Sequence, residues 1–363
     1  MVSQKNRNPN LHKIFLNLAF EKAKINLGKT KLNPSVGCVL VRNNSVIASG
    51  YTSFGGRPHA EYNALKFKKN LKNTDLYVTM EPCVHYGLTP PCTNLIKIKK
   101  IKRVFYSFND VDKRTANKSK DKLSKKRIKV YKKFNNYYKD FYQSYFLSQK
   151  KDIPFIDAKI ALSKDYLTIN KRAKWITNQL SRKRTHLIRS EYDAIISTSQ
   201  SINKDNSLLN CRLSGFNQNK PDLIIIDLTL KIKKNLDLLK KINKRKILVV
   251  TSVLNSKKIS YLRKKGVKII SLKSLDKKND FINLFRILRK YGYNRVLVES
   301  GLVFLNKLLK EKLIFNLYLF QSSTKLGKNG KNNTSNKLLK KLSLKKKVNV
   351  NLNGDKLFKI KFK

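Results

Sequence analysis

The feature that most limits the possible folds of this chain is an alternation. Short β-branched and apolar runs recur, separated by stretches with helical spacing, and after a polar break the pattern starts again. Leu11, Ile14, Phe15, Leu18 and Ala19 form a helical stripe that runs toward Gly28, a plausible C-terminal stop. "NPSVGCVLVRNNSVIASGY" then reads as two strands around Asn43-Asn44, which suits a hairpin because Asn tolerates positive φ. "HAEYNALKFKKNL" (59–71) has helical spacing, "LYVTM" (76–80) is a buried strand, and 91–100 a helix. Strands follow at 103–108 and 127–132, and the Tyr- and Phe-rich segment 134–148 closes the unit as a helix. "QKKDIPF" (149–155) is the linker candidate.

Beyond it, "FIDAKIAL" is a strand and 177–191 a helix, and "DAIIST", "DLIIIDL", "KILVVTS" and "GVKIIS" are strands. Helix 280–291 precedes strand "RVLVES", and the helix "FLNKLLKEKL" precedes the apolar "IFNLYLFQ". Strands alternating with helices of this length predict two α/β units, 1–148 and 152–363. No internal repeat is evident, and low complexity is confined to lysine-rich stretches, densest at 328–347.

Composition bounds the class. With 363 residues, 40% of them hydrophobic and 10% aromatic, the chain is long enough for two buried cores. No apolar run approaches the roughly 18 residues of a membrane span. The basic N-terminus lacks the apolar core of a signal peptide, and its helical stripe reads as the start of a domain rather than a transit peptide. Four cysteines do not make a disulfide scaffold, so a cytoplasmic location is expected. Eighty-one Lys and Arg against 22 Asp and Glu give a net charge of +59, which would suit a polyanion partner. The lysines are spread over every helix face and loop instead of one arm, and only 13 glycines are present. That pattern fits drift in solvated positions under a biased composition, and nucleic acid is not the expected partner.

The chemistry starts at His59-Ala60-Glu61. After the strand "LYVTM" the chain reads "EPCVHYGLTPPC", which puts Cys83 and Cys92 at the starts of turns or helices. One imidazole and two thiolates are a zinc ligand set, and three protein ligands leave a fourth position for water. A helix N-terminus would favour the thiolate of Cys92. Zinc nucleobase deaminases use such a site, with a Glu that is not a ligand shuttling protons between the water and the departing amine. Glu61 has the offset from His59 for that role. Each piece alone is bland: His-x-Glu is commonly exposed helix, and paired cysteines are commonly small core residues. Their order and position after this strand carry the assignment.

The cysteine spacing then discriminates among deaminases, because cytidine and tRNA-adenosine deaminases usually carry Pro-Cys-x-x-Cys. Here His85, Gly87, Thr89, Pro90 and Pro91 lie between Cys83 and Cys92. With "NPSVGC" upstream and "EPCVHYGLTPPC" downstream, the first half resembles the bifunctional riboflavin-biosynthesis deaminase/reductase family. The resemblance implies a cytidine-deaminase-like three-layer α/β/α sandwich with zinc on His59, Cys83 and Cys92. It also implies that Asn33 and His85 hold the pyrimidine; the alternatives are a turn cap for Asn33 and an orienting role for His85. The family usually has Arg or Lys at the position of Leu88, so that contact is lost or supplied by a neighbouring lysine. Its Asp-Pro-Asn-Pro stretch stands here as "DVDK" (110–113).

The resemblance extends through the second half, where the family has a dihydrofolate-reductase-like α/β domain that binds NADPH. No G-x-G-x-x-G is present. "PFIDAKIALSKD", "KWITNQLSRKRTHLIRSEYDAIIS" and "VLVESG" match in order and spacing. The match implies that Ala161, Trp175, Ser201, Asp205 and the turn Gly301-Leu302-Val303 lie along NADPH. A glycine after a strand lets the backbone approach a phosphate, and a following helix N-terminus favours the anion. Arg189, Leu209, Arg212 and Glu299 would face the substrate, with the arginines suited to a phosphosugar. The alternatives are core for Trp175, a lysine salt bridge for Glu299, and ordinary surface cations for Arg189 and Arg212. Tyr166 stands where the family has Gly, Ala173 where a serine is expected, and Asn206-Ser207 follow Asp205 in place of Asp-Pro.

The expectation is therefore a bifunctional enzyme: hydrolytic deamination of a phosphoribosylated diaminopyrimidinone, then NADPH-dependent reduction of the ribosyl group to ribityl. Its partner is that phosphorylated small molecule, and the family suggests a homo-oligomer. The competing expectations are a zinc deaminase acting on RNA with a basic binding module, and a deaminase with a silent second domain.

Overall fold

The computed structural model describes residues 9–66, 71–133, 136–216, 221–240, 245–344 and 347–362. The chain divides into two compact units, Met1–Asp152 and Ile153–Lys363.

In the first unit, helix α1 (Pro9–Lys24) precedes a hairpin of β1 (Gly37–Arg42) and β2 (Ser45–Tyr51). Then come α2 (Ala60–Leu65), β3 (Asp75–Met80), α3 (Cys92–Ile98), β4 (Arg103–Phe108), α4 (Ser119–Ser124), β5 (Lys129–Lys132) and α5 (Gln143–Lys151). The sheet order is β2-β1-β3-β4-β5, with β1 antiparallel to both neighbours and β3, β4 and β5 parallel. Asn43 and Asn44 turn the hairpin at φ 49° and 60°, the left-handed pair a tight turn requires. The two sheet faces have separate cores. Val39, Val41, Tyr77 and Phe105 pack under α1, while Cys38, Leu40, Leu76, Val78 and Val104 pack with Ala64, Ile96 and Leu123 of the helices opposite. This is the three-layer α/β/α sandwich.

Four local expectations change. The apolar face of α1 is Phe15, Leu16, Ala19, Phe20 and Ala23, whereas Ile14 is 56% exposed. The face is rotated because the helix is held on two sides: Phe15 and Leu16 meet the sheet, and Phe20 stacks on Tyr138 with ring centres 4.0 Å apart. Of the helix expected over 134–148, residues 134–135 lie outside the described residues, and the rest is a 3-10 turn at Asn136–Tyr138 followed by α5. Residues 149–151 of the expected linker are the last turn of α5, and Asp152 caps it in the left-handed region. The helix expected over 59–71 is observed to Leu65; residues 67–70 are outside the described ones.

The second unit contains β6 (Phe155–Leu162), β7 (Ile169–Asn170), α6 (Gln179–Ser190), β8 (Ala194–Thr198), α7 (Ser199–Asp205), β9 (Asp222–Ile226), α8 (Asp237–Lys240) and β10 (Ile247–Thr251). It continues with α9 (Lys257–Lys264), β11 (Lys268–Ser271), α10 (Lys278–Lys290), β12 (Arg295–Val298), α11 (Leu302–Lys310), β13 (Asn316–Gln321), β14 (Gly330–Lys331), α12 (Lys337–Lys340) and β15 (Lys356–Lys361). Eight strands form one sheet in the order β11-β10-β9-β8-β12-β6-β13-β15, parallel except for the antiparallel edge strand β15.

Parallel strands covered on both faces read as continuous apolar runs, which is why "DLIII" and "ILVVT" were legible. Phe281, Leu284, Phe285 and Leu288 of α10 cover one face with Phe304 and Leu308 of α11; Ile188, Ile202, Ile259 and Leu262 cover the other. β15 and the short β7–β14 pair were not anticipated, and in the lysine-rich stretch residues 345–346 lie outside the described residues. Among the described residues no helix is long and apolar enough to cross a membrane.

Candidate active sites

In the first unit the site is assembled from two element starts. His59 is the N-cap residue of α2, and Cys92 opens α3, while Cys83 lies in the turn after β3. His59 Nδ1 is 3.6 Å from Cys83 Sγ and 3.4 Å from Cys92 Sγ, and the three candidate ligand atoms lie within 4.8 Å of one another. A tetrahedral zinc with nitrogen at about 2.0 Å and sulfur at about 2.3 Å requires N and S about 3.5 Å apart. The donor set and its spacing fit zinc. The Cys92 N–H donates to Cys83 Sγ at 3.2 Å, and Thr93 Oγ1 donates to the Cys83 carbonyl at 3.1 Å, so the turn carrying Cys83 is tied to α3.

The electrostatics suit a cation. The Cys83 thiol is held low, first by the hydrogen bond from Cys92, and Cys92 is correspondingly held high by the same bond and by burial. His59 is raised: burial opposes its charged form, but Cys83 and Glu61 outweigh that. Glu61, in the first turn of α2, is buried, and burial next to Cys83 pushes its carboxyl up to about 7.

Around this centre Asn33 Nδ2 donates to the Gly56 carbonyl at 3.1 Å, and His85 Nδ1 pairs with Thr115 Oγ1 at 2.9 Å, leaving Nε2 for another partner. Leu88 is 89% exposed, so it makes no substitute contact within the protein.

Sequence reasoning missed Glu81. Its buried carboxylate accepts the N–H groups of Asp110 (3.2 Å), Asn117 (3.0 Å) and Ser119 (3.1 Å), which pins the loop that presents Thr115 to His85. An acid closing a fully buried strand was the available signal.

In the second unit the parallel strands β6, β8 and β12 end on the same edge of the sheet, the edge where open α/β sheets bind ligands. Ser201 and Gly301, a hundred positions apart in the chain, meet there: the Gly301 N–H donates to Ser201 Oγ at 3.2 Å. Ser201 Oγ is also the nearest atom to a Cβ placed on Gly301, at 3.5 Å, an ordinary contact, so nothing crowds the backbone at the N-cap of α11. These residues fit the anionic part of NADPH. Leu302 is buried and Val303 half-exposed at the start of that helix, and Ala161 is partly buried near the end of β6. Asp205 ends α7 at the surface. Trp175 is 53% exposed, with the Arg182 guanidinium 4.9 Å from its ring centre, so it is not core.

Arg189 and Glu299 are brought into a two-point ion pair, with Lys159 Nζ 3.9 Å from the same carboxylate. Leu209 is buried at φ 48°, and its carbonyl accepts Arg245 Nη1 at 2.7 Å. The next carbonyl, of Asn210, accepts from His186 Nδ1 (2.9 Å) and Arg189 Nη1 (3.1 Å), while Arg212 Nη1 reaches Asn210 Oδ1 at 2.7 Å. Leu209 and Arg212 thus lie on one pinned loop, and Arg189 reaches it from α6. Lys159, His186 and Arg245 were not singled out from sequence because nothing local distinguishes them from other basic residues.

The comparisons follow the same division. Residues 9–108 match the model of the cytidine and deoxycytidylate deaminase zinc-binding region, and residues 154–356 match the RibD C-terminal domain. The riboflavin biosynthesis protein RibD of Aquifex aeolicus is 31% identical over 85% of this chain and 86% of its own length. This chain belongs to the RibD family. The RibD protein of Actinobacillus pleuropneumoniae is likewise 31% identical, over 79% of this chain and 77% of its own. Among solved structures, Acinetobacter baumannii RibD matches at TM-score 0.83 and 25% identity, covering 97% of this chain and 99% of that one. A diaminohydroxyphosphoribosylaminopyrimidine deaminase/5-amino-6-(5-phosphoribosylamino)uracil reductase from Thermotoga maritima matches at 0.82 and 26%, with the same coverage. As a RibD protein, the chain is a bifunctional enzyme of riboflavin biosynthesis, joining a zinc-dependent deaminase to a dihydrofolate-reductase-like, NADPH-dependent reductase.

Proposed function

We propose that deamination and reduction run through the residues assembled above. The observation that carries the reading is His59 Nδ1 set 3.6 and 3.4 Å from two thiol sulfurs, with buried Glu61 beside them. His59, Cys83 and Cys92 are the zinc ligands, and zinc bound there supplies Lewis-acid activation of a water. Glu61 accepts a proton from the attacking water and returns it to the ring nitrogen substituent that leaves as ammonia. A carboxyl poised near neutrality suits both directions of transfer. Asn33 and His85 hold the pyrimidine, the latter oriented by Thr115.

In the second unit, Ala161, Trp175, Ser201, Asp205 and Gly301 to Val303 line NADPH, which when bound supplies the hydride for the ribosyl C1′. Arg189, Leu209, Arg212 and Glu299 face the phosphosugar, with the guanidinium of Arg212 suited to its phosphate. The deaminase domain read from sequence as 1–148 extends to Asp152, which caps α5, and the reductase domain follows to 363. A cytoplasmic location and a homo-oligomer complete the proposal, on the family resemblance.

The test uses full-length, zinc-loaded protein with the phosphoribosyl diaminopyrimidinone, following ammonia and NADPH absorbance together. Ammonia should appear first and NADPH then be consumed, with both signals abolished in Glu61→Ala although its zinc content is unchanged. Cys92→Ser should lose the zinc itself. Ammonia without NADPH loss would remove the reductase assignments, and no ammonia would remove those of the first unit.

A further inference from the structure

The loop from His85 to Thr89 carries no cation of its own, because Leu88 stands at the position where the resemblance calls for one. A different element brings one to it. Arg57, two residues before His59, donates from Nη1 to Thr89 Oγ1 at 2.6 Å. Its Nη2 lies 3.1 Å from where a Cβ on Gly87 would be, so the bare backbone at 87 is what leaves room for the guanidinium against the loop. The neighbouring Gly56 carbonyl accepts from Asn33 Nδ2, so the segment Gly56–His59 joins the Asn33 side chain, this guanidinium and a zinc ligand candidate.

We propose that Arg57 binds the phosphate of the phosphoribosyl substrate at the deamination site, in place of the cation missing at Leu88. The proposal rests on the deaminase reading above. The rival cation is Arg114, which also lies near His85 through Asp112. Arg114, however, is gripped by the Asp112 carboxylate, with Nη2 to Oδ2 at 2.5 Å and Nε to Oδ1 at 3.0 Å, so its charge is already answered. Arg57 meets a neutral hydroxyl, and no carboxylate pairs with it among the described residues. A guanidinium with unused donors in a planar fork matches two phosphate oxygens at once. Ammonium groups of the surrounding lysines offer only single-point contacts.

The experiment compares ammonia release, without NADPH, from the phosphoribosyl substrate and from its dephosphorylated riboside. In Arg57→Ala the KM for the phosphorylated substrate should rise about 10- to 100-fold, the range of one lost charged hydrogen-bonding partner. The riboside KM should stay put and kcat change far less. Arg57→Lys should fall between, and adding Leu88→Arg to Arg57→Ala should restore discrimination. Equal losses on both substrates would show that Arg57 merely holds the loop, and unchanged KM values would show that the phosphate goes elsewhere; either overturns the proposal. Zinc content measured across the variants confirms that the centre is intact. If wild-type protein releases no Glu61-dependent ammonia, the deaminase reading fails first and takes this inference with it.

Discussion

Glu299 and Arg189 meet in two side-by-side hydrogen bonds, Nε to Oε1 at 2.6 Å and Nη2 to Oε2 at 2.9 Å, at 6% and 12% side-chain exposure. Burial alone would raise the carboxyl, but Arg189 and then Lys159 hold it below its ordinary value. Glu299→Ala would leave two cations without their shared anion in a poorly solvated place. Removing one partner of a buried pair typically costs about 3–5 kcal/mol. Urea unfolding followed through Trp175, the sole tryptophan, reads this unit directly. A loss below about 1 kcal/mol, the range of a solvated surface pair, would contradict the burial seen here.

Glu81 should matter to the first unit because its carboxylate holds the loop over 110–119. Glu81→Gln turns one of two acceptor oxygens into an NH2 facing backbone N–H donors. A cost of about 1–3 kcal/mol is expected for the unsatisfied groups. Because the loop also places Thr115 on His85, KM for deamination should rise while zinc content holds. Unaltered KM together with lower stability would confine Glu81 to a structural role.

Gly37 explains why the "VGC" segment has no side chain there. A Cβ would sit 1.8 Å from the Ala19 carbonyl oxygen and 2.7 Å from the Ala23 nitrogen, both helix backbone that cannot swing aside. Gly37→Ala must push α1 off the sheet, at about 3 kcal/mol or more, the upper range for overpacking. Thermal unfolding and the yield of folded protein would show it, and a wild-type melting temperature would refute the close contact.

His186 predicts an acid limb in stability. Burial, then Arg189 and Arg212, push its imidazole down to about 4 from 6.5. Between those values the unfolded chain binds more protons, so this contribution is complete above about pH 6.5 and lost as pH falls toward 4. In His186→Gln the urea midpoint should depend less steeply on pH across that window. An identical slope would mean that the imidazole titrates normally.

Short-range features were legible in the sequence. The apolar strand runs and the Asn43–Asn44 turn depend on neighbours in the chain and are found as elements, and the ordered His59, Cys83 and Cys92 meet in space. In the second unit the resemblance named Ser201, Gly301, Arg189 and Glu299 without pairing them, and the fold sets Ser201 against Gly301 and Arg189 against Glu299. Elsewhere local reading failed where two surfaces compete for one residue. The stripe on α1 missed Phe20 and included Ile14, because Tyr138, more than a hundred residues later, recruits the Phe20 ring.

What the sequence by itself determined is the alternation of elements and the chemistry of the candidate zinc donors, since both follow from residue types and their order along the chain. Tertiary structure alone decided which ordinary-looking charges matter. One guanidinium among 81 basic residues lies against Thr89, and one carboxylate gathers three backbone N–H groups from a loop about 30–40 positions away. Such partners are selected by burial and distance in space, and those quantities do not exist along the chain.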